Sequence, residues 1–211
     1  MRIAEQLAAM AQLQEALNEN VHAQWRTQGH QYYRAVWVEC AELLDHFGWK
    51  WWKHQQPDLD QVKLEIVDIW HFGLSELIRA GSINAGRVDK SVVAAFSQRP
   101  PQLMDFRDAV EALASQTLAQ RAFPVAAFVD VMAALPIDLD ELYRIYVGKN
   151  VLNVFRQANG YQSGSYVKVW AGREDNEHLF ELVGTLDAAS SSFSEDLYRA
   201  LEARYAASRR S

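Results

Sequence analysis

Glu39 and Glu42 stand three residues apart, and so do Glu65 and Asp68. On a helix, positions i and i+3 lie about 60° apart around the axis and roughly 4.5 Å along it, so each pair points one way. A single pair of this kind is ordinarily a solvated face. Here the neighbours argue otherwise. Val62, Leu64, Ile66, Val67, Ile69, Trp70, Phe72 and Leu74 surround Glu65 and Asp68, and a helix apolar almost all round is a buried one. Around Glu39 the helical neighbours include Ala35, Val36 and Leu43. Each buried carboxylate left unpaired costs several kcal/mol, on the order of ion desolvation. The nearest lysines, Lys50, Lys53 and Lys63, fall at helix ends or among solvent-like residues. A divalent cation is the economical partner for four such acids. All-oxygen donors without cysteine suit Mg²⁺, with Mn²⁺ as its substitute. An EF-hand calcium site is disfavoured, because no glycine-containing twelve-residue loop appears.

Charge is distributed as unevenly as the acids. Glu39–Asp68 holds seven acidic residues against three lysines, whereas 142–173 holds no acid and five cations: Arg144, Lys149, Arg156, Lys168 and Arg173. The two segments can pair with each other, or hold opposite ends of a ligand carrying both metal and phosphate. The net charge of −6 argues against a nucleic-acid polymer as partner. Hydrophobic residues at 49% and charged residues at 23% are globular values. One cysteine, Cys40, allows no internal disulfide and fits a reducing compartment. No apolar run reaches the length of a membrane span. The first twenty residues carry acids where a signal peptide needs a bare apolar stretch. Together these predict a cytoplasmic protein with no membrane partner.

The elements that must position the acids are helical by periodicity. Ile3, Leu7, Met10, Leu13 (or Gln14) and Leu17 mark an amphipathic helix over 3–19. A second helix is expected from Tyr32 to Trp52 and a third from Gln61 to Ala80. Pro57 lies between them, with Asp58 or Asp60 as cap and Gly81 closing the third. Further helices are expected over 86–98, 104–120, 124–134, 138–158, 176–188 and 192–207, with Pro100–Pro101, Pro124 and Pro136 between them. Only Tyr166–Trp170 alternates as a strand would. The fold class is therefore all-α, a bundle of about eight helices forming one domain over 1–211. Within it, 82–138 carries no recognised motif and reads as a scaffolding or mobile helical part.

With these residues in place, the chain resembles the all-α nucleoside triphosphate pyrophosphatases, the superfamily of the MazG-type enzymes and the dimeric dUTPases. The E-x-x-E and E-x-x-D pairs match the metal motif. More specific are ECAELLDHFGWKWWKHQ (39–55), whose Lys50-Trp51-Trp52-Lys53 is typical of dimeric dUTPases, and EIVDIWHFGLSELI (65–78). A third block, 146–176, is similar to the C-terminal motifs of the same family. The blocks occur in order over most of the chain. The resemblance implies hydrolysis of dUTP, and of dUDP, to dUMP by metal-activated water, with Mg²⁺ held by Glu39, Glu42, Glu65 and Asp68 and a homodimeric assembly. One motif glutamate acts as general base. Glu39 is expected in that role, because apolar neighbours raise its basicity.

The resemblance also assigns the remaining residues. Lys149, Asn153, Arg156, Tyr161 and Lys168 correspond to the phosphate-binding set, which would stabilise charge on the leaving phosphates. The GYQSGSY loop could close over them. Gln14 and Asn18, four apart on the first helix, correspond to the uracil-contacting pair, with Gln12 an alternative to Gln14. An amide can both donate and accept, and so can match the uracil O4 and N3–H edge. Trp51 and Phe72 correspond to aromatics that enclose base or sugar, and His71 to a contact with the 3′ hydroxyl. Competing readings are a related pyrophosphatase for dCTP or modified nucleotides, a nucleotide sensor without turnover, and a di-iron bundle using Glu19-x-x-His22 and Asp68-x-x-His71.

Overall fold

The computed structural model describes residues 3–98, 104–135, 137–187, 190 and 192–209. Its secondary structure is helical apart from two short hairpins, and it follows the expected order. The expected prolines 100, 101 and 136 lie outside the described residues. Two compact units are present, Met1–Tyr143 and Arg144–Ser211.

In the first unit, α1 (Ile3–Val21), α2 (Tyr32–Phe47) and α3 (Leu59–Arg79) carry the residues of interest. α3 packs along both α1 and α2. Its ends are set by local chemistry. The Asp58 carboxylate accepts a hydrogen bond from the backbone N–H of Gln61 at 3.2 Å, so Asp58 and not Asp60 is the cap. At the other end Gly81, at φ 78°, donates to the Ile78 carbonyl while Ser82 donates to that of Leu77. These two bonds are the Schellman closure that a left-handed glycine permits.

The second helix is shorter than expected. Gly48 at φ 92° ends α2 at Phe47, so Trp49–Trp52 form a loop and not a last helical turn. The apolar tryptophans had extended the helical pattern past the residue that stops it. The helix expected over 86–98 is likewise trimmed. Ile83–Asn84 (β1) and Arg87–Val88 (β2) form a hairpin, and α4 begins at Lys90. Two-residue strands are too short to leave an alternating pattern. α5 (Phe106–Gln120) and α6 (Val125–Ala134) complete the unit, with α5 packed on α2 and α6. Trp70 sits at the centre of an aromatic core, stacked on Phe128 at 5.3 Å and beside Phe96 and Phe123. Gly73 lies so close to Phe123 that a Cβ there would fall 2.5 Å from the ring. That close approach leaves no room for a side chain at position 73.

The second unit contains α7 (Leu139–Ala158) beyond Tyr143, then β3 (Val169–Trp170), β4 (Arg173–Glu174), α8 (Asp175–Thr185) and α9 (Phe193–Ser208). The strand expected over 166–170 is reduced to the β3–β4 pair. Its core is aromatic as well: Phe155 meets Tyr166, Trp170, Tyr198 and Tyr205 edge-on, at 5.4–6.2 Å. A capping box between Glu174 and Glu177 starts α8. No described helix is long and apolar enough to cross a membrane.

Candidate active site

α2 buries Val36, Cys40 and Leu43, one stripe of the helix, against its neighbours. Glu39 stands at the edge of that stripe and is half-buried, whereas Glu42 is exposed on the same side as Val38 and Ala41. From α3, Glu65 is buried at 6% exposure. Carboxylate oxygens of Glu39, Glu42 and Glu65 all lie within 4.8 Å of one another. Among the described residues this is the group of His, Cys, Asp or Glu side chains gathered closely enough to hold an ion. Asp68, one turn along α3, lies outside that tight group. The expectation of a wholly buried set is therefore corrected: the α2 side is open. Leu43, next to Glu42 in sequence, is buried, but helical rotation turns it to a different face from Glu42.

The acids repel one another. The Glu39 carboxyl is pushed up from 4.5 to about 9 by burial first, and then by the charge of Asp68. A hydrogen bond to Glu65 and the charges of Glu65 and Glu42 add to this. Converging like charges raise the proton affinity of one member of such a set. An all-oxygen cluster with one buried side and one open side fits a hard divalent ion, which would remove that repulsion. Two lysines near the acids in sequence are engaged elsewhere: Lys63 pairs with Glu141 at 2.6 Å and Lys50 with Asp45 at 2.9 Å. His46, missed in the sequence reading, places Nε2 3.6 Å from Glu65. The di-iron ligand set does not assemble, because Glu19 and His22 are exposed at the far end of α1, and His22 accepts from the Gln24 backbone.

A second set of polar residues lies between α1 and α3. Gln14 is buried at 3% exposure, whereas Gln12 is exposed. Gln14 donates to the Asn18 oxygen at 3.0 Å, and its own oxygen meets His71 Nδ1 at 2.7 Å. Asn18 donates to the Ser75 hydroxyl at 3.0 Å. Three residues assigned to base and sugar thus share one network, with Ser75 as a member that sequence reasoning missed. Phe72 follows on α3, half-buried. Trp51 is not brought to this network. It is 90% exposed on the loop after α2, its ring edge-on to Trp52 at 5.5 Å. That loop and Arg107 of α5 border a cavity of about 500 Å³ lined by Trp49, Lys50, Trp51 and Lys53.

In the second unit, Arg156 is buried and binds Asp175 through two hydrogen bonds, of 2.8 and 2.7 Å. It also donates to Asn153 at 3.1 Å. Lys149 donates to Asn176 at 2.9 Å. Tyr161 lies under both Arg156 and Lys168, each cation 5.9 Å from the ring centre. All five expected residues therefore belong to one cluster, but its organiser is Asp175, just past the acid-free stretch. Burial alone would raise the Asp175 carboxyl; the Arg156 guanidinium and the Tyr166 hydroxyl, at 2.8 Å, hold it below the usual range. Arg173 is likewise paired, with Glu177 and Glu181. The +5 read from the sequence is thus partly neutralised by acids from α8.

Comparison with known proteins agrees with the resemblance. No curated protein matches the chain significantly. A protein-family model described as dUTPase matches residues 6–161, which takes in the carboxylates, the Gln14–His71 network and the cluster as far as Tyr161, but not Lys168. That match covers well over half of the sequence. The chain belongs to the dimeric, all-α dUTPase family and is a dUTP diphosphatase.

Proposed function

We propose that Glu39, Glu42, Glu65 and Asp68 hold Mg²⁺, or Mn²⁺ in its place, and that the site converts both dUTP and dUDP to dUMP. The convergence of three carboxylates within 4.8 Å carries this reading. dUTPases in general depend on a divalent metal. When bound, such an ion polarises the phosphate and lowers the pKa of attacking water. Glu39 takes the proton of that water as it attacks phosphorus. Burial and the neighbouring acids raise the proton affinity of its carboxyl, and an ion in the cluster would offset that rise and leave it ionised, able to accept a proton. With two oxygens, a carboxylate can serve an ion and a water together. The P–O bond to the leaving group breaks as the new one forms; dUTP leaves pyrophosphate and dUDP leaves phosphate. Lys149, Asn153, Arg156, Tyr161 and Lys168 take up phosphate charge. Arg156 does so as a rigid donor already aligned by Asp175.

Gln14 and Asn18 read the uracil edge, His71 the sugar hydroxyl, and Phe72 and Trp51 supply apolar walls. The exposure of Trp51 gives it free ring surface for a base. Residues 1–211 work as one catalytic domain in a cytoplasmic homodimer, with 82–138 as helical scaffolding. The test is kcat/KM for dUTP, dUDP, dCTP and dTTP with Mg²⁺. The reading expects dUTP and dUDP to be turned over and dCTP and dTTP to lag by at least about a hundredfold, or roughly 2.7 kcal/mol. Equal values for dUTP and dCTP would remove the assignment of the base-reading residues.

A further inference from the structure

The amide groups between α1 and α3 have a fixed direction, and Ser75 sets it. A serine hydroxyl carries one proton. Ser75 Oγ lies 2.9 Å from the backbone carbonyl of His71, one turn earlier, and a carbonyl can only accept. The proton is therefore committed there, and the Ser75 oxygen can only accept from Asn18. Asn18 answers with its NH₂ group at 3.0 Å, while its oxygen lies farther from Ser75, at 3.5 Å. With its nitrogen turned to Ser75, Asn18 presents its oxygen to Gln14, whose NH₂ donates at 3.0 Å. Gln14 must then turn its own oxygen to His71, and at 2.7 Å the ring Nδ1 has to be the donor. The circuit starts at the carbonyl of residue 71 and ends on its ring. It fixes both amides and makes Nε2 the acceptor nitrogen of a neutral His71.

We infer that Ser75 is a specificity-determining positioning residue, which locks the Asn18 amide in the orientation that accepts uracil N3–H and opposes cytosine. It rests on the assignment of Asn18 to the base. An amide can match either pyrimidine by turning over. Uracil offers a donor at N3 and an acceptor at position 4, whereas cytosine offers the reverse. Asn18 spends one N–H on Ser75 and accepts once from Gln14, leaving a second N–H and a second lone pair for the base. With the amide held, cytosine would place N3 against the Asn18 oxygen and its amino group against the Asn18 nitrogen. Leaving polar groups so opposed is how a hydrogen-bonding site rejects a near-isostere. Ser75 is 1% exposed, so it acts through Asn18 and not by touching the nucleotide.

Ser75→Ala removes the anchor and frees both amides to turn. The expected result is a fall of at least tenfold in the ratio of kcat/KM for dUTP to that for dCTP. KM for dUTP should rise, and kcat should stay within about threefold of the parent. A ratio unchanged within twofold would overturn the inference. Asn18→Ala, measured in parallel, separates the two layers. If it collapses the ratio while Ser75→Ala does not, the base reading stands and the role of Ser75 is lost. If Asn18→Ala leaves the ratio intact, the base reading falls and takes the inference with it. A third measurement needs no variant of Ser75: ¹⁵N spectra of histidine-labelled protein, with the His71 signal assigned by its loss in His71→Asn. A proton on Nδ1 is expected in the parent protein, and a proton on Nε2 alone would contradict the circuit.

Discussion

Glu39 joins two facts that a sequence can only hint at, a carboxylate edge and a proton held against its usual preference. Its folded carboxyl titrates near 9 instead of 4.5. Between those values the folded, metal-free protein binds a proton that the unfolded chain does not, so its stability falls as pH rises through that window. Added Mg²⁺ should cancel the trend and expel the proton. Denaturant midpoints between pH 5 and 9, with and without Mg²⁺, will show the slope and its loss; calorimetry in two buffers should show proton release on binding at pH 7. A flat profile without metal would mean the carboxylates do not crowd as described. At this scale the spacing of the four acids was legible because helix geometry is fixed. The exposure of Glu42 was not, because whether a helical side chain at the stripe's edge meets solvent depends on the neighbouring helix and not on its own.

Elements decide which of those residues are held rigidly. Arg156 and Asp175 come from α7 and the start of α8 and form a buried ion pair. The basic stretch is plain in the sequence, but its counter-charge, Asp175, lies two residues past it. Asp175→Asn leaves a buried guanidinium without its charge partner, a loss of about 3–5 kcal/mol, measurable as a shift in urea midpoint at unchanged slope. The end of α2 tells a similar story. Gly48 stops the helix, and Arg107 holds the resulting loop through hydrogen bonds from Nε and Nη2 to the Gly48 carbonyl. Its guanidinium also rests on Phe47 at 4.9 Å from the ring centre. Tryptophan periodicity concealed that stop, and nothing near Arg107 in sequence marks it as the clamp. Arg107→Ala should loosen Trp49–Trp52, raising acrylamide quenching of their fluorescence and KM for dUTP several-fold. Unchanged quenching would show the loop to be self-supporting.

For the whole molecule, periodicity was sufficient to give the all-α class, because amphipathic stripes are local properties. Assembly depends on surfaces, and light scattering at micromolar concentration is expected to give twice the monomer mass of 24.0 kDa; a monomer would remove the homodimer from the account. The central claim is narrower: the Glu39, Glu42, Glu65 and Asp68 carboxylates bind the divalent ion on which dUTP hydrolysis depends. Mn²⁺ titration followed by electron paramagnetic resonance, on the parent protein and on Glu65→Gln, tests it most directly, with dUTP turnover recorded on the same samples. The prediction is saturable binding in the parent, and at least tenfold weaker binding with under about a tenth of the turnover, a barrier increase of roughly 1.4 kcal/mol, in the variant. A Glu65→Gln protein that binds Mn²⁺ and hydrolyses dUTP as the parent does would contradict it.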